Sequence, residues 1–476
     1  MRSTAGACQR GCARAGSRRR RGMGEGTMNA GPNATALSEF IAGSHMRKLP
    51  AEIANAAKLC LADWVSVALG AAVEPAGKIV REVVGDWRSD GPAALLLGGR
   101  AAAPMAALVN GTLAHCLDFD DTYVDSITHT SAPVWAATLA LGAETGASET
   151  ALLSAFVTGF EVVARVGHGL GQAITSRGWH GTGVFGRIGA AAAGAAVLGL
   201  DAERAIHAIA LGATQAGGLV GSFGTMAKPF HAGKAAMDGV LAAQLAAAGF
   251  TGAPGLFEPG GGLDNALIQD GKAGLAPVEF SEWRILRNSF KPYAACHLIH
   301  PAIDAARALW AEGGTPAPHE RIAAEVSALA KQVTGETNGH PAGALAGKFD
   351  LRYCVALALH GHDLSAANFR EPWHVEPDIA RMAEQVSVTA TTEMGFASAA
   401  VRVGRKREYV PVAKGHPGNP MGWDDMRFKF DGLVGDHLGN RAAILFSALR
   451  DFSNGGSLSV IHDIVTAGPK GPERTE

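Results

Sequence analysis

Apolar residues recur every three to four positions from Leu37 to about Leu275, and that period predicts helices. In LPAEIANAAKLCLADWVSVALGAA the stripe is Ile53, Ala56, Ala57, Cys60 and Trp64, with Pro50 in a first-turn position where its missing N–H costs little. SETALLSAFVTGFEVVARVG carries Leu152, Phe156, Phe160 and Val163 behind Ser148, an N-cap residue whose hydroxyl can accept a free helix N–H. DAERAIHAIALGATQAG carries Ile206, Ile209, Ala210 and Ala213 behind a second N-cap, Asp201. Glycine-rich turns separate these helices, and no strand-like run competes with them. Near Val278 the period changes. HERIAAEVSALAKQV and AEQVSVTAT alternate in part, and SAAVRVGRKREYVPV suggests a hairpin with Gly404 in its turn. Helical stretches at 301–310 and 351–360 lie between them. After Pro417 the helical period returns in NPMGWDDMRFKFDGL and NRAAILFSALRDF. The predicted fold is mainly α: a large all-α helical domain built from residues 35–276 and 417–476, with a smaller α+β lid domain inserted at 277–416.

Composition sharpens this plan. A chain of 476 residues, 47% hydrophobic and 18% charged, is globular and can bury a large core. Only 6% is aromatic, so the apolar bulk comes from Ala and Gly, and the helices should pack closely through small residues. A net charge of -2 leaves no basic surface for nucleic acid. Cys8, Cys12, Cys60, Cys116, Cys296 and Cys354 are scattered, with no C-x-x-C pair; this argues for reduced thiols in the cytoplasm and against a disulfide framework or a zinc or iron–sulfur site. No run reads as a membrane span, because the most apolar one, 188–200, falls short of the roughly 20 residues required. Residues 1–34 differ from the rest. Arg2, Arg10, Arg14 and Arg18 to Arg21 precede the first acid, Glu25. A transit peptide would need an apolar helical face, which is missing here. The expectation is therefore a disordered tail and an over-long start, with Met23 or Met28 as the initiator.

Four segments carry candidate chemistry. GTGVFG places Gly181, Gly183 and Gly186 at the spacing of a dinucleotide-binding fingerprint, which has that meaning only between a buried strand and the helix of a βαβ unit. The preceding GHGLGQAITSRGWH is a loop, so the glycines mark the start of a small-residue helix near 184–200 instead. The N-terminus of such a helix can hold an anion, with His180 at its mouth. HCLDFDDTYVDSITHTSAP groups His115, Asp118, Asp120, Asp121, Asp125 and His129 beside an apolar run. Clustered carboxylates are costly to bury without partners. Taken singly, Asp120, Asp121 and Asp125 suit a solvated turn; as a cluster they suit a site. D-D-x-x-x-D also approaches the magnesium motif of helical terpenoid synthases, with Asp121 and Asp125 on one helix face, although no second such motif appears. GTMAKPFHAGKAA sets Lys228, His231 and Lys234 in an apolar stretch where a lysine needs an anion. SFKPYAACHLIHPAID brings Lys291, Tyr293, His297 and His300 to the changeover between helical and α+β parts, where ligand sites favour domain junctions. Lysines pair with carboxylates, and His and Asp move protons near neutral pH. The set suits proton abstraction beside a carboxylate of a small polycarboxylate, with no nucleotide.

Across AHCLDFDDTYVDSITHTSAPVWAATLALGAETGAS, GFEVVARVG, GWHGTGVFGRIGAAAAGAAVLGLDAERAIHAIALGATQAGGL, GTMAKPFHAGKAAMDGVLAAQLAAAGFTGA, KPYAACHLIHPAIDA and HPGNPMGWDDMRFKF, in that order, the chain resembles the MmgE/PrpD family. The resemblance implies a homodimer with an all-α domain and an α+β lid, and no metal or organic cofactor. The activities it implies include 2-methylcitrate dehydratase, cis-aconitate decarboxylase and iminodisuccinate epimerase. Motif by motif, it implies that Asp118, His129, His180 and Lys228 line the active site. His300 matches a histidine of the family's T-H-P segment, and His297 lies one position from a second histidine of decarboxylase-like members. Thr130 and Gly181 stand where Pro is frequent, Arg187 where small residues are common, and VGSFGTM is short. Arg187 would be a carboxylate clamp or a surface charge.

The expectation is a cofactor-independent lyase, dehydratase or decarboxylase, for a small di- or tricarboxylate. Asp118, His129, His180, His297 and His300 would be catalytic; Lys228, Gly181, Thr182, Gly183, His231, Lys291 and Tyr293 would bind substrate. A dicarboxylate epimerase is the alternative, and a non-catalytic carboxylate-binding protein a distant one. Neither nucleic acid nor membrane is an expected partner.

Overall fold

The computed structural model describes residues 30–370 and 373–467. In chain order, the first helices are α1 (Pro32–Ala42), α2 (Ala51–Gly70) and α3 (Pro75–Asp86), followed by two very short strands, β1 (Ala93–Ala94) and β2 (Arg100–Ala101), that the helical period hides. Then come α4 (Ala103–His115), α5 (Ser131–Thr145), α6 (Glu149–Val166), α7 (Gly171–Ser176), α8 (Gly181–Val197), α9 (Ala202–Ala213), α10 (Ala227–Ala247) and α11 (Leu263–Ile268). The next part holds α12 (His300–Gly313), β3 (Ile322–Val326), α13 (Ala328–Ala330), α14 (Ala344–Gly347), α15 (Leu351–Leu359), α16 (Pro377–Gln385), β4 (Val386–Ala390), β5 (Ala399–Val403) and β6 (Lys406–Val410). It ends with α17 (Trp423–Leu438), α18 (Arg441–Arg450) and α19 (Ser457–Thr466). The molecule is mainly α, as the hydrophobic period predicts.

The expected caps form: Ser148 accepts from the Ala151 N–H and Asp201 from the Arg204 N–H. Small residues set the helix spacing. α10 packs on α4 and α8, and α8 on α6. A Cβ on Gly159 of α6 would lie 2.5 Å from the Gly189 carbonyl of α8, so these helices meet closer than any larger residue permits. The four-stranded sheet has the order β4-β3-β5-β6, with β3–β4 parallel and the other pairs antiparallel. Gly404 takes a left-handed φ of +58° in the β5–β6 turn, where only glycine enters freely. α12 packs on β5 and β6, and α17 returns to pack on α2.

Three expectations change. α1 begins at Pro32, and its Asn33 side chain donates to the carbonyls of Phe257 (2.9 Å) and Ala276 (3.1 Å), so 32–34 belong to the fold rather than to the tail. Of the rest of the expected tail, 1–29 lies outside the described residues. The small-residue helix starts at Gly181, three positions early, because glycine is tolerated in a first turn pressed against neighbouring backbone. Finally, Ala51–Val73 is long and apolar enough to cross a membrane, but 72% of its most apolar stretch is buried inside the fold, where it acts as a core helix.

Candidate active site

The site is built on the segment between α4 and α5. His115 closes α4, Asp118 and Asp120 follow in an irregular loop, and His129 stands just ahead of α5. Backbone pairing stitches the loop down: Thr122 N–H donates to Ser289 O (2.8 Å), Ser289 N–H returns to Thr122 O (3.0 Å), and Tyr123 pairs with Thr128. Asp118 has φ +52°, a left-handed conformation that Asp adopts more readily than most residues.

Charge concentrates on Asp118. Its Oδ1 takes a hydrogen bond from Lys228 Nζ and lies 3.4 Å from Lys291 Nζ and 3.8 Å from His129 Nε2. Lys228 sits in the first turn of α10; Lys291 comes from the loop before α12 and donates to the Asp118 carbonyl at 2.7 Å. Burial alone would push the Asp118 carboxyl up, but Lys228, Lys291, His129 and His115 outweigh it and hold it well below the usual carboxylate range. Asp120 is a second buried acid, contacted by His115 Nδ1 (2.9 Å) and His129 Nδ1 (3.3 Å). Burial also opposes its ionisation, and the two histidines reverse that effect. Desolvation lowers His115 to about 4, so it is a neutral imidazole at pH 7.

His180, the N-cap of α8, stacks on His115 with ring centroids 5.7 Å apart, and its Nδ1 is 3.1 Å from Nδ1 of the partly buried His231. Burial first, then His115 and Lys228, hold His180 well below its ordinary value. Phe223 sets its ring edge-on to His180 at 4.9 Å, with Lys228 Nζ 5.4 Å from the same ring. Thr182 Oγ1 accepts from the His129 N–H at 3.0 Å, so α8 positions the histidine. Gly181 and Gly183 face backbone instead: a Cβ on Gly181 would lie 2.6 Å from Ile127 O, and one on Gly183 would strike Gly217 O. No buried strand feeds this helix, so the dinucleotide fingerprint is a packing device.

On the other side, His297 lies 4.8 Å ring to ring from His300. Burial lowers both, His300 to about 3, and His300 Nε2 bonds to Ala295 O at 3.0 Å. The Tyr293 hydroxyl is occupied, donating to Asp304 at 2.5 Å. His115 Nε2, His297 Nδ1 and His300 Nδ1 are buried without a hydrogen-bond partner among the described residues. Buried imidazoles normally have partners, so three such nitrogens in one region mark a place where a polar ligand belongs.

Other residues fall elsewhere. Asp121 and Asp125 do not share a helix face, because 117–123 is irregular. Asp121 turns inward to Ser131 and to Asn288 (2.5 Å), while Asp125 pairs with Arg287 at 2.8 Å. Burial, then the charge on Asp63, pushes Asp121 up to about 7. The aspartate-rich magnesium pattern is therefore absent from this loop. His115, Asp118, Asp120 and His129 do place one ligand atom each within 4.8 Å of one another, with Lys228 and Lys291 also standing against Asp118 Oδ1. Arg187 is neither clamp nor surface charge: it is buried, bonded to Asp238 at 2.8 Å and to the carbonyls of Gly183 and Gly217. A cavity of about 640 Å³ lined chiefly by apolar residues such as Leu61, Trp64 and Phe452 contains none of the candidate residues.

Sequence reasoning missed Asp63, Lys348 and Lys429. Lys429 bonds to Asp63 (2.5 Å) and to Phe119 O (2.6 Å); Lys348 donates to Leu117 O (2.7 Å). Two signals were present: Asp63 is an acid alone in the apolar run KLCLADWVSVALG, and Lys429 stands between Phe428 and Phe430.

Known proteins share much of this sequence. A cis-aconitate decarboxylase of Aspergillus terreus is 25% identical over 393 residues, covering 75% of this chain and 78% of the relative. The mouse cis-aconitate decarboxylase is 32% identical over 212 residues, 43% of each chain. The cis-aconitate decarboxylase-like protein oryM of Aspergillus oryzae is 30% identical over 243 residues, 48% of this chain, and the match spans about half (49%) of that relative's length. Residues 35–276 match the MmgE/PrpD N-terminal domain and 293–451 its C-terminal domain, so that the α4–α5 loop, Lys228 and His300 all fall within matched segments and the chain belongs to the MmgE/PrpD family.

Proposed function

We propose that this protein is a lyase acting on a small tricarboxylate, by decarboxylation of the kind named in its relatives, with cis-aconitate as the substrate to test first. The observation that carries this reading is the charge balance around Asp118. Lys228, Lys291 and Lys348 all reach the short segment 117–118, and among the described residues Asp118 is the carboxylate that contacts Lys228 and Lys291, while Lys348 bonds to the Leu117 carbonyl and has no carboxylate within 4 Å. Asp120 is engaged by His115 and His129, and Asp63 by Lys429. Glu74 attracts Lys348 only through space. The excess positive charge suits a polycarboxylate.

The low pKa of Asp118 supports decarboxylation over proton abstraction. A carboxylate held so far into its ionised form is a weak base. In decarboxylation the bond to one carboxylate breaks, its electron pair stays on carbon, CO2 leaves, and a proton is then added. The lysines would stabilise the carbanion's delocalised charge. His129, between Asp118 and Asp120, would deliver the proton, with His180 and His297 nearby. Asp118 would orient Lys228 and His129.

The test incubates the protein with cis-aconitate, 2-methylcitrate and iminodisuccinate in heavy water, followed by proton NMR. Loss of CO2 from cis-aconitate with one deuteron incorporated, at a rate unaltered by EDTA dialysis, is expected. Loss of water from 2-methylcitrate with cis-aconitate untouched would replace this reading by a dehydratase; α-proton exchange in iminodisuccinate alone would replace it by an epimerase.

A further inference from the structure

Three successive backbone carbonyls beside Asp118 each end on a different buried lysine. Lys348, between α14 and α15, donates to Leu117 O at 2.7 Å. Lys291 donates to Asp118 O at 2.7 Å, and Lys429, on α17, to Phe119 O at 2.6 Å. These lysines are only 5%, 2% and 4% exposed. They come from positions 231, 173 and 310 residues away from the carbonyls they hold.

Burying an ammonium is costly, and such lysines normally face a carboxylate. Lys429 has Asp63, with the Phe119 ring 4.0 Å away. Lys291 has Asp118. Lys348 forms no ion pair within 4 Å among the described residues, and desolvation lowers it to about 8. Its hydrogen bond goes to the loop. A buried irregular segment cannot satisfy its own carbonyls, because with Asp118 left-handed neither helix nor ladder bonds are open to it. Long cationic side chains from outside fill that need.

We propose that Lys348 and Lys429 are positioning residues which, with Lys291, clamp the 117–119 carbonyls, hold Asp118 in its left-handed conformation and so fix its carboxylate against Lys228 and His129. This rests on the reading that Asp118 belongs to the active site. The clamp ties the shape of the loop to chain segments far downstream of it. Lys348 acts through the loop and does not touch substrate.

The test compares the full-length protein with Lys348→Met and Lys348→Arg by steady-state kinetics on cis-aconitate and by amide hydrogen exchange of peptides spanning the 117–122 loop. In Lys348→Met, loop exchange should accelerate about tenfold on loss of a charge-assisted hydrogen bond. The kcat should fall about 100-fold from misplacement of Asp118. The KM should stay within about threefold, since no substrate contact is lost. Lys348→Arg, which can still donate, should recover most of both. Should Lys348→Met not fold, Lys348→Gln, polar but too short to reach Leu117, should show the same pattern. Unchanged loop exchange would overturn the clamp, as would a raised KM with kcat intact, the mark of a substrate ligand. If the parent protein turns over no carboxylate, the functional reading fails, while loop exchange still decides the clamp.

Discussion

Replacing Asp118 by Asn removes one charge while keeping the shape of the side chain. Asn enters the left-handed region readily, so the φ of +52° is preserved. What changes is that Lys228 and Lys291 lose the shared oxygen that offsets them. At the 3.4 Å separation of Lys291 from Oδ1, an effective dielectric near 20 gives about 5 kcal/mol of gross attraction. Desolvation cancels part of this, and breaking a buried pair by removing one partner costs about 3–5 kcal/mol. For a chain of this length each kcal/mol shifts Tm by about 1 °C, so a drop of about 3–5 °C at pH 7 is expected. The pH dependence carries a sign. Because the folded carboxyl lies well below its usual range, its contribution is fully present above the unfolded value of about 4 and is lost as pH falls through the folded value. The gap between parent and Asp118→Asn should therefore be full at pH 7 and narrow below pH about 4. Added cis-aconitate should raise the Tm of the variant more than that of the parent, since a polyanion replaces the missing charge. Turnover should fall at least about 100-fold as Lys228 and His129 lose their anchor. Calorimetry across that pH range is the assay. A Tm at pH 7 equal to the parent's, or a gap that does not change with pH, refutes the idea that this carboxylate compensates the lysines.

Two further outcomes follow from the packing. His300, lowered to about 3 by burial, must charge on unfolding in mild acid, so below pH about 6.5 it adds about 1.4 kcal/mol per unit to a decline in stability that His115, His180 and His297 share; His300→Gln, which can still donate to Ala295 O, should make the slope shallower by about that amount in urea denaturation measured at pH 6.5 and 4.5. Gly183→Ala should destabilise by about 1–3 kcal/mol and slow turnover, because its Cβ strikes Gly217 O beside the Gly218 carbonyl that holds His180 N–H, whereas Gly221→Ala, with open space around it, should do neither in a melting and activity comparison.

Most of the helical fold is visible in the hydrophobic period, because a helix that buries one face must repeat its apolar residues at 3.6. The caps at Ser148 and Asp201 are equally local, and both are found. What local pattern does not carry is the partner of each charge. Arg187 looks ambiguous in sequence because its answer, Asp238, lies 51 residues away on another helix. Asp121 and Asp125 suggest a helix face because spacing alone cannot reveal that Thr122 pairs with Ser289 and breaks the helical path. Asp118, His129, His180 and Lys228 lie in one region of the structure, with Lys291 against Asp118. The lysines at 348 and 429 escape notice because a lysine after a helix or within one is ordinarily a solvated residue.

The small-residue core and the charged site have one cause. Gly and Ala at the contacts of α4, α5, α6, α8 and α10 let those helices close in until the α4–α5 loop is buried with them. A loop buried that deeply exposes carbonyls to a region without water, and carbonyls need donors. Donors long enough to reach in from downstream segments are lysines, and each one brings a positive charge. Lys429 has Asp63, but Asp118 alone faces both Lys228 and Lys291, and Lys348 has no ion pair within 4 Å among the described residues. The packing of the helices thus produces the surplus of positive charge, which the proposed polycarboxylate would offset. A chain with larger residues at these contacts would leave the loop solvated and its lysines screened.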